Sequence, residues 1–547
     1  MKIAVAQLNY HIGNFDNNFS KIKEAIEDAK SNGVDLVLFG ELAICGYPPR
    51  DFLEFDDFIH QCHQVIEKIR PLTQNIAVVI GCPSINKNKE GKDLYNSAYF
   101  IADKAVKAIT HKTLLPTYDI FDEYRYFEPN NEFALINYKN KSIAVTICED
   151  IWNLPVEGLQ KPLYTTAPLD ILSKEKIDVI LNLSASPFHA KQSSIRKLIV
   201  SANAKKYKAP VFYANHVGAQ TEIIFDGGSL VCNTKGEVVA ELPYFKECLE
   251  IIDLNEVDQL IPMEQDVPEI EKIHQALVAG IKNYFQKLGF KKAILGLSGG
   301  IDSALVAALA VEALGSENVM SVLLPSQYSS NHSIDDSVDL VRNLKSPYKI
   351  ISIEDNYYAL EKNLLPHFEG KAPDVTEENI QSRLRGIILM ALSNKHNYIL
   401  LNTSNKSEAA VGYGTIYGDM CGGLSVIGDL YKTQVYALAN YLNRNKEVIP
   451  QNIIDKAPSA ELRPDQKDSD SLPDYDVLDE ILFQYIENRK GPKEIIALGF
   501  EESLVKRILK LVNINEWKRH QMPPVLRVTS KAFGMGRRMP IVAKYLG

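Results

Sequence analysis

The chain has 547 residues, enough for two to four domains that each bury a full core. Its 46% hydrophobic and 24% charged residues are ordinary globular usage and leave no room for a long disordered or fibrous region. A net charge of -9 works against a nucleic-acid or anionic-membrane partner, because both select an excess of Lys and Arg.

The N-terminus enters at once into Met1-Lys2-Ile3-Ala4-Val5-Ala6-Gln7, which lacks the apolar core and cleavage site of a signal peptide, and no apolar run reaches membrane-spanning length. Seven scattered cysteines without a CxxC pair argue against a disulfide framework or a zinc site, so a reducing cytoplasm is expected. From Ile3 to about Leu254, short β-branched runs alternate with amphipathic stretches. Phe19, Ile22, Ala25, Ile26 and Ala29 form one helical stripe. Two hairpins are predicted, Ser97 to Ile101 turning at 102–104 into Ala105 to Ile109, and Phe133 to Asn137 turning at 138–141 into Ile143 to Ile147. Residues 256–271, rich in acidic residues and Gln with two prolines, read as a linker between domains 1–255 and 272–547. Beyond it, Ala293 to Leu297, Val319 to Leu324, Lys349 to Ile353 and Tyr398 to Asn402 alternate with helical segments in the rhythm of a doubly wound parallel sheet. Ala457 to Asp476 reads as a surface loop that closes over a substrate.

Three N-terminal segments each end a predicted strand with a reactive side chain: Phe39-Gly40-Glu41-Leu42, His111-Lys112-Thr113-Leu114-Leu115-Pro116 and Thr146-Ile147-Cys148-Glu149-Asp150. In that set Cys148 is a nucleophile, Glu41 a general base and later acid, and Lys112 a cation that lowers the thiol pKa and steadies an oxyanion. Order and flanks resemble the nitrilase (carbon-nitrogen hydrolase) superfamily across residues 1 to 255. The resemblance implies a four-layer αββα sandwich, adds Glu123 as a second glutamate, and in the glutaminase branch places glutamine against Tyr118 and Ser186. The residue that follows the Ser-Pro segment to clamp glutamine is either Lys191 or Gln192.

Gly296-Leu297-Ser298-Gly299-Gly300-Ile301-Asp302-Ser303 follows a strand and opens an apolar helix, a geometry that cradles phosphates, while no Walker A loop is present. SGGxDS resembles the signature of the N-type ATP pyrophosphatases, whose fold is a Rossmann-like doubly wound sheet. The segments Thr376 to Gly386, Asn402 to Glu408, Val411 to Asp419 and Asp429 to Thr433 resemble the NAD+ synthetase branch. That resemblance places ATP on the 296–303 loop with Ser298, Ser303, Thr403 and Lys432, magnesium on Asp302 and Glu408, and deamido-NAD+ against Asn379, Arg383, Glu408, Asp419 and Lys518. Two carboxylates and a bridging phosphate suit an oxygen-seeking ion.

Together the two resemblances imply a ligase that takes ammonia from glutamine and uses ATP to amidate deamido-NAD+ through an adenylate, releasing AMP and pyrophosphate. They imply a homo-oligomer and an ammonia tunnel. An amidotransferase with another acceptor keeps both domains but leaves the 376–386 and 411–419 matches without a purpose. A catalytically silent binding protein is at odds with the full reactive set, and a bare amide hydrolase leaves SGGIDS unused.

Overall fold

The computed structural model describes residues 1–156, 161–263, 267–459, 461–463, 468 and 472–545. The chain divides into two compact units, Met1–Glu269 and Ile270–Gly547.

In the first unit two six-stranded sheets stack face to face. One runs in the order Cys248–Asp253, Lys2–Gln7, Leu36–Leu38, Ala77–Ile85, Leu94–Ala102, Ala105–His111, and the other Val238–Glu241, Leu230–Cys232, Val211–Ala214, Val179–Leu183, Lys141–Ile147, Ile136–Tyr138. Strand alternation divides the side chains between cores. Ile3, Val5, Leu36, Leu38 and Val79 meet Val145, Leu181 and Phe212 between the sheets. Ala4, Val78 and Ile80 face the helices Phe15–Ser31 and Asp56–Ile69 instead. On the far side Ala144 and Ile180 pack under helix Gln192–Tyr207. Each fully buried aliphatic side chain contributes about 1.5–3 kcal/mol. The result is the αββα layering that the nitrilase resemblance implied.

Helix Phe15–Ser31 buries Ile22, Ala25, Ile26 and Ala29, and the Asn14 side chain caps its start by accepting from the Asn17 N–H. Both hairpins form. Asp103 and Lys104, and Lys139 and Asn140, adopt positive φ at the two turns. The second hairpin is shorter than expected, because its first strand begins at Ile136 and leaves 133–135 outside the ladder.

The second unit holds a five-stranded sheet in the order Tyr348–Ile350, Val319–Leu323, Ala293–Gly296, Ile399–Asn402, Leu424–Ser425, with every pair parallel. Strand order reverses beside Ala293–Gly296, so a crevice opens between its carboxyl end and that of Ile399–Asn402. Leu424–Ser425 was not foreseen, having only two residues of ladder. The expected strand over 349–353 ends at Ile350, and Ile353 turns inward to start helix Glu354–Leu364.

The stretch 256–271 departs from a free linker at both ends. Val257 is buried with the inter-sheet core, and Glu269 to Glu271 already belong to helix Glu269–Leu288; residues 264–266 lie outside the described set. The predicted loop 457–476 falls partly outside it as well, and Tyr475 and Asp476 open helix Tyr475–Ile486.

Candidate active sites

Strand ends carry the first site. Glu41 sits in the turn after Leu36–Leu38, Lys112 directly follows Ala105–His111, and Cys148 directly follows Lys141–Ile147 with a left-handed φ of 44°. Gly81 permits this closeness, since a Cβ there would lie 2.1 Å from the Leu42 backbone nitrogen. Asp150 ties the other two segments together by accepting from the Thr113 and Leu114 N–H groups at 3.0 and 2.9 Å and from the Ile147 N–H at 3.0 Å.

Lys112 Nζ lies 2.7 Å from Glu41 Oε1 and 2.8 Å from Glu123 Oε1, and all three side chains are buried. The Tyr47 hydroxyl also donates to Glu123, at 2.8 Å. Burial alone would lower the Lys112 pKa, but Glu123 and Glu41 overcome it and hold the ammonium charged well above its usual range. At Cys148 the expected pull of Lys112 is present but outweighed. Burial and the Glu41 charge push its thiol well above the ordinary value despite the opposing pull of Lys112, so the resting group is a neutral thiol. A nucleophile in that state needs a base, and Glu41 is the carboxylate with the largest charge effect on it.

Around this centre the Tyr118 hydroxyl donates to both Glu149 oxygens at 2.9 and 3.0 Å, and the Tyr164 hydroxyl donates at 3.2 Å. Burial raises the Glu149 carboxyl to about 7. Ser186 is buried, with its N–H on Asn215 Oδ1 at 2.8 Å, and Gln192 Nε2 donates to its hydroxyl at 3.2 Å. Of the two alternatives, the structure brings Gln192 to Ser186 and leaves Lys191 exposed.

The second site is a cavity of ≈ 280 Å³ in the crevice of the parallel sheet, lined by Ser298, Asp302, Ser303, Thr403, Asp419 and Lys432 among others. Gly299 has φ +80, and a Cβ there would lie 2.5 Å from the Ser333 carbonyl oxygen, so the turn admits only glycine without shifting. Ser303 Oγ donates to the Gly300 carbonyl and stands 3.2 Å from Ser298 Oγ, which holds the loop open over the start of helix Ile301–Leu314. Lys432 Nζ reaches Asp302 Oδ2 at 2.5 Å and Glu408 Oε1 at 3.5 Å, and Asn405 Nδ2 donates to Asp302 Oδ1 at 2.9 Å. Burial, then Asp302, push the Glu408 carboxyl up to about 8.

Residues matched to deamido-NAD+ separate into two groups. Glu408 and Asp419 line the cavity, whereas Asn379, Arg383 and Lys518 do not. Those three gather instead on the turn beside it: Asn379 accepts from Thr415 Oγ1 at 2.7 Å, Arg383 Nε donates to the Ile416 carbonyl at 3.3 Å, and Lys518 Nζ donates to the Gly412 and Gly414 carbonyls at 2.9 and 3.0 Å.

The carbon-nitrogen hydrolase family matches residues 2–261, and the NAD synthase family matches residues 273–523. A glutamine-dependent NAD(+) synthetase from Synechocystis sp. is 45% identical over 551 residues, covering 99% of each chain. The chain belongs to the glutamine-dependent NAD(+) synthetases. The synthetase of Thermotoga maritima is 39% identical over 582 residues, with 100% of this chain and 99% of that one covered. A solved synthetase from Acinetobacter baumannii in complex with ADP matches at TM-score 0.77 and 38% identity, over 99% of this chain and 98% of that one.

Several groups of this synthetase were beyond the reach of its motifs. Asn96 and Tyr164 lie outside every quoted segment, and Asp150 and Asn405, though inside two of them, take their roles from hydrogen bonds to distant segments. Arg196, fully buried on Asp226 at 2.6 Å, braces the Gly227 carbonyl that also holds Asn215 under Ser186. Only its place on the inner face of a helix with little amphipathic contrast distinguishes it in sequence. No described helix is long and apolar enough to cross a membrane.

Proposed function

We propose that the first unit hydrolyses glutamine and the second uses ATP to amidate deamido-NAD+ with the ammonia released. The observation that carries this reading is one chain holding both a buried Glu41–Lys112–Glu123 cluster beside Cys148 and an SGGIDS loop whose Asp302 meets Lys432 beside Glu408.

At the first site, Glu41 takes the Cys148 proton as sulfur attacks the carboxamide carbon of glutamine. The Lys112 ammonium offers an N–H to the oxyanion. Glu41 then protonates the departing nitrogen, releasing ammonia and a thioester, and afterwards activates the water that frees glutamate. The ammonium of the amino-acid substrate is drawn to Glu149 beside Tyr118 and Tyr164, and Ser186 with Gln192 supplies polar contacts to its carboxylate.

At the second site, the nicotinate carboxylate of deamido-NAD+ attacks the α-phosphate of ATP and pyrophosphate leaves. AMP is then the leaving group that ammonia displaces. Backbone N–H groups of 298–300 and the hydroxyls of Ser298 and Ser303 hold the departing phosphates at a helix start, and Lys432 adds charge. Asp302 and Glu408 would hold magnesium, and the donor set fits: two converging carboxylates share one lysine, and Glu408 is pushed up by burial and then by Asp302. Among the described residues no three His, Cys, Asp or Glu form a cage, which suits an ion that takes its remaining ligands from phosphate. When bound, the ion neutralises charge on the leaving pyrophosphate.

The test supplies the protein with ATP, magnesium, deamido-NAD+ and glutamine labelled with 15N in the side-chain amide. Labelled NAD+ with one AMP and one glutamate per turnover is expected. Glutamate without NAD+ would leave only the first half of the reading standing.

A further inference from the structure

Asn96 occupies the centre of the first site without belonging to any motif there. It lies on strand Leu94–Ala102, its side chain is fully buried, and its Nδ2 donates to Glu41 Oε1 at 2.7 Å and to Glu123 Oε2 at 3.4 Å. Its backbone carbonyl accepts from the Lys112 N–H at 2.8 Å, so the residue touches three members of the cluster. The amide orientation follows from chemistry, since a carbonyl oxygen turned toward two carboxylates would be repelled. Its Oδ1 has no hydrogen-bond partner among the described residues and is buried. An orphaned buried oxygen costs stability. A side chain kept for packing alone would not carry that cost, whereas one kept for its two N–H donors has to.

The charge count gives those donors a purpose. Glu41 and Glu123 share one lysine, and the other titratable groups facing them are Tyr47 from the turn after Glu41, Cys148 and Glu149 from the turn after Lys141–Ile147, Tyr164, and His216, whose Nε2 lies 2.7 Å from the Glu41 carbonyl oxygen. In a dry pocket two carboxylates and one ammonium leave a surplus negative charge that favours uptake of a proton. Protonated Glu41 could not receive the proton of Cys148. We propose that Asn96 is a positioning residue for the glutaminase reaction, whose amide bridges Glu41 and Glu123 beside their shared lysine and fixes the Glu41 carboxylate for its proton transfer. The remaining Glu41 oxygen, Oε2, accepts from the Ala185 N–H at 3.2 Å, so the carboxylate is held from both ends. This inference rests on the reading of Glu41, Lys112 and Cys148 as the glutaminase centre.

The experiment measures glutamine hydrolysis against pH for the full-length enzyme and its Asn96→Ala, Asn96→Asp and Glu41→Gln variants. Cooperative urea unfolding of the full-length enzyme, compared with the parent, serves as the check that the first unit of each variant is folded. Asn96→Ala is expected to lower kcat about tenfold to a hundredfold, the worth of a hydrogen bond to a charged group. KM for glutamine should stay near the parent value, while the acid limb of the kcat profile moves to higher pH. Asn96→Asp, which adds a third carboxylate, should move that limb further. The pH dependence of Cys148 alkylation by iodoacetamide should shift in the same direction, and it can be read even where turnover is too slow. An acid limb unchanged in both Asn96 variants would overturn the proposal, whatever happens to kcat. Wild-type hydrolysis by Glu41→Gln would instead overturn the underlying glutaminase reading.

Discussion

In the N-terminal unit Lys112 stands 2.7 Å from Glu41 and 2.8 Å from Glu123, with side-chain exposures of 0%, 0% and 5%. In the C-terminal unit Lys432 stands 2.5 Å from Asp302 and 3.5 Å from Glu408, with exposures of 2%, 18% and 16%. The same three charges are closed in one place and open to a cavity in the other. Covalent chemistry on a small amide needs a base, a cation and a thiol fixed in advance, so the first cluster is wired to Tyr47, Asn96 and the Ala185 N–H. Phosphate chemistry brings its own charges, so the second cluster leaves carboxylate oxygens facing the space where they arrive.

Replacing the lysine on each side tests that contrast. Lys112→Met should remove glutamine hydrolysis and destabilise the first unit by about 3–5 kcal/mol, because it strands two buried carboxylates; urea unfolding measures it. Lys432→Met should cost stability only about 1–2 kcal/mol, since its partners reach solvent. Its ammonia-driven NAD+ synthesis should nevertheless fall about 10²–10³-fold. Equal stability losses would remove the distinction between a closed and an open cluster.

A smaller effect concerns Glu149. Under the proposed role in capturing the substrate ammonium, its carboxyl, raised by burial to about 7, acts in the ionised form. The free-enzyme parameter kcat/KM for glutamine should therefore rise with pH through that region, and Glu149→Gln should lower it and flatten this rise. A pH profile identical in the variant would exclude Glu149 from substrate capture. The smallest effect separates two neighbours: Gln192→Ala should raise KM for glutamine about tenfold, the low end for a hydrogen bond to a charged group, and Lys191→Ala should leave it unchanged. The reverse result would restore the lysine as the clamp.

Legibility in the sequence followed how local the cause was. The glycine-rich 296–303 turn at a strand-to-helix junction, and Cys148 at the end of a β-branched run, are set by adjacent residues and could be read directly, whereas the contact that demands Gly299, with Ser333, could not. The stacked sheets were legible through the nitrilase resemblance, since fully buried strands such as Val179–Leu183 carry no alternation to show which face meets which core. Asn96 is an ordinary strand residue until Glu41, 55 positions away, is folded against it. The net rise of the Cys148 pKa was also hidden, because a motif names the lysine beside a thiol but not the depth of its burial. Arg196 and Asp226 lie 30 positions apart, and neither sits in a reactive segment.

The most direct test of the two-site account is NAD+ formation by Cys148→Ala with glutamine and, separately, with ammonium at a pH that supplies free ammonia. Loss of the glutamine-driven rate with the ammonia-driven rate preserved is the predicted result. Glutamine-driven synthesis that survives the substitution would contradict the account, because Cys148 is the thiol whose charge couples to both Glu41 and Lys112.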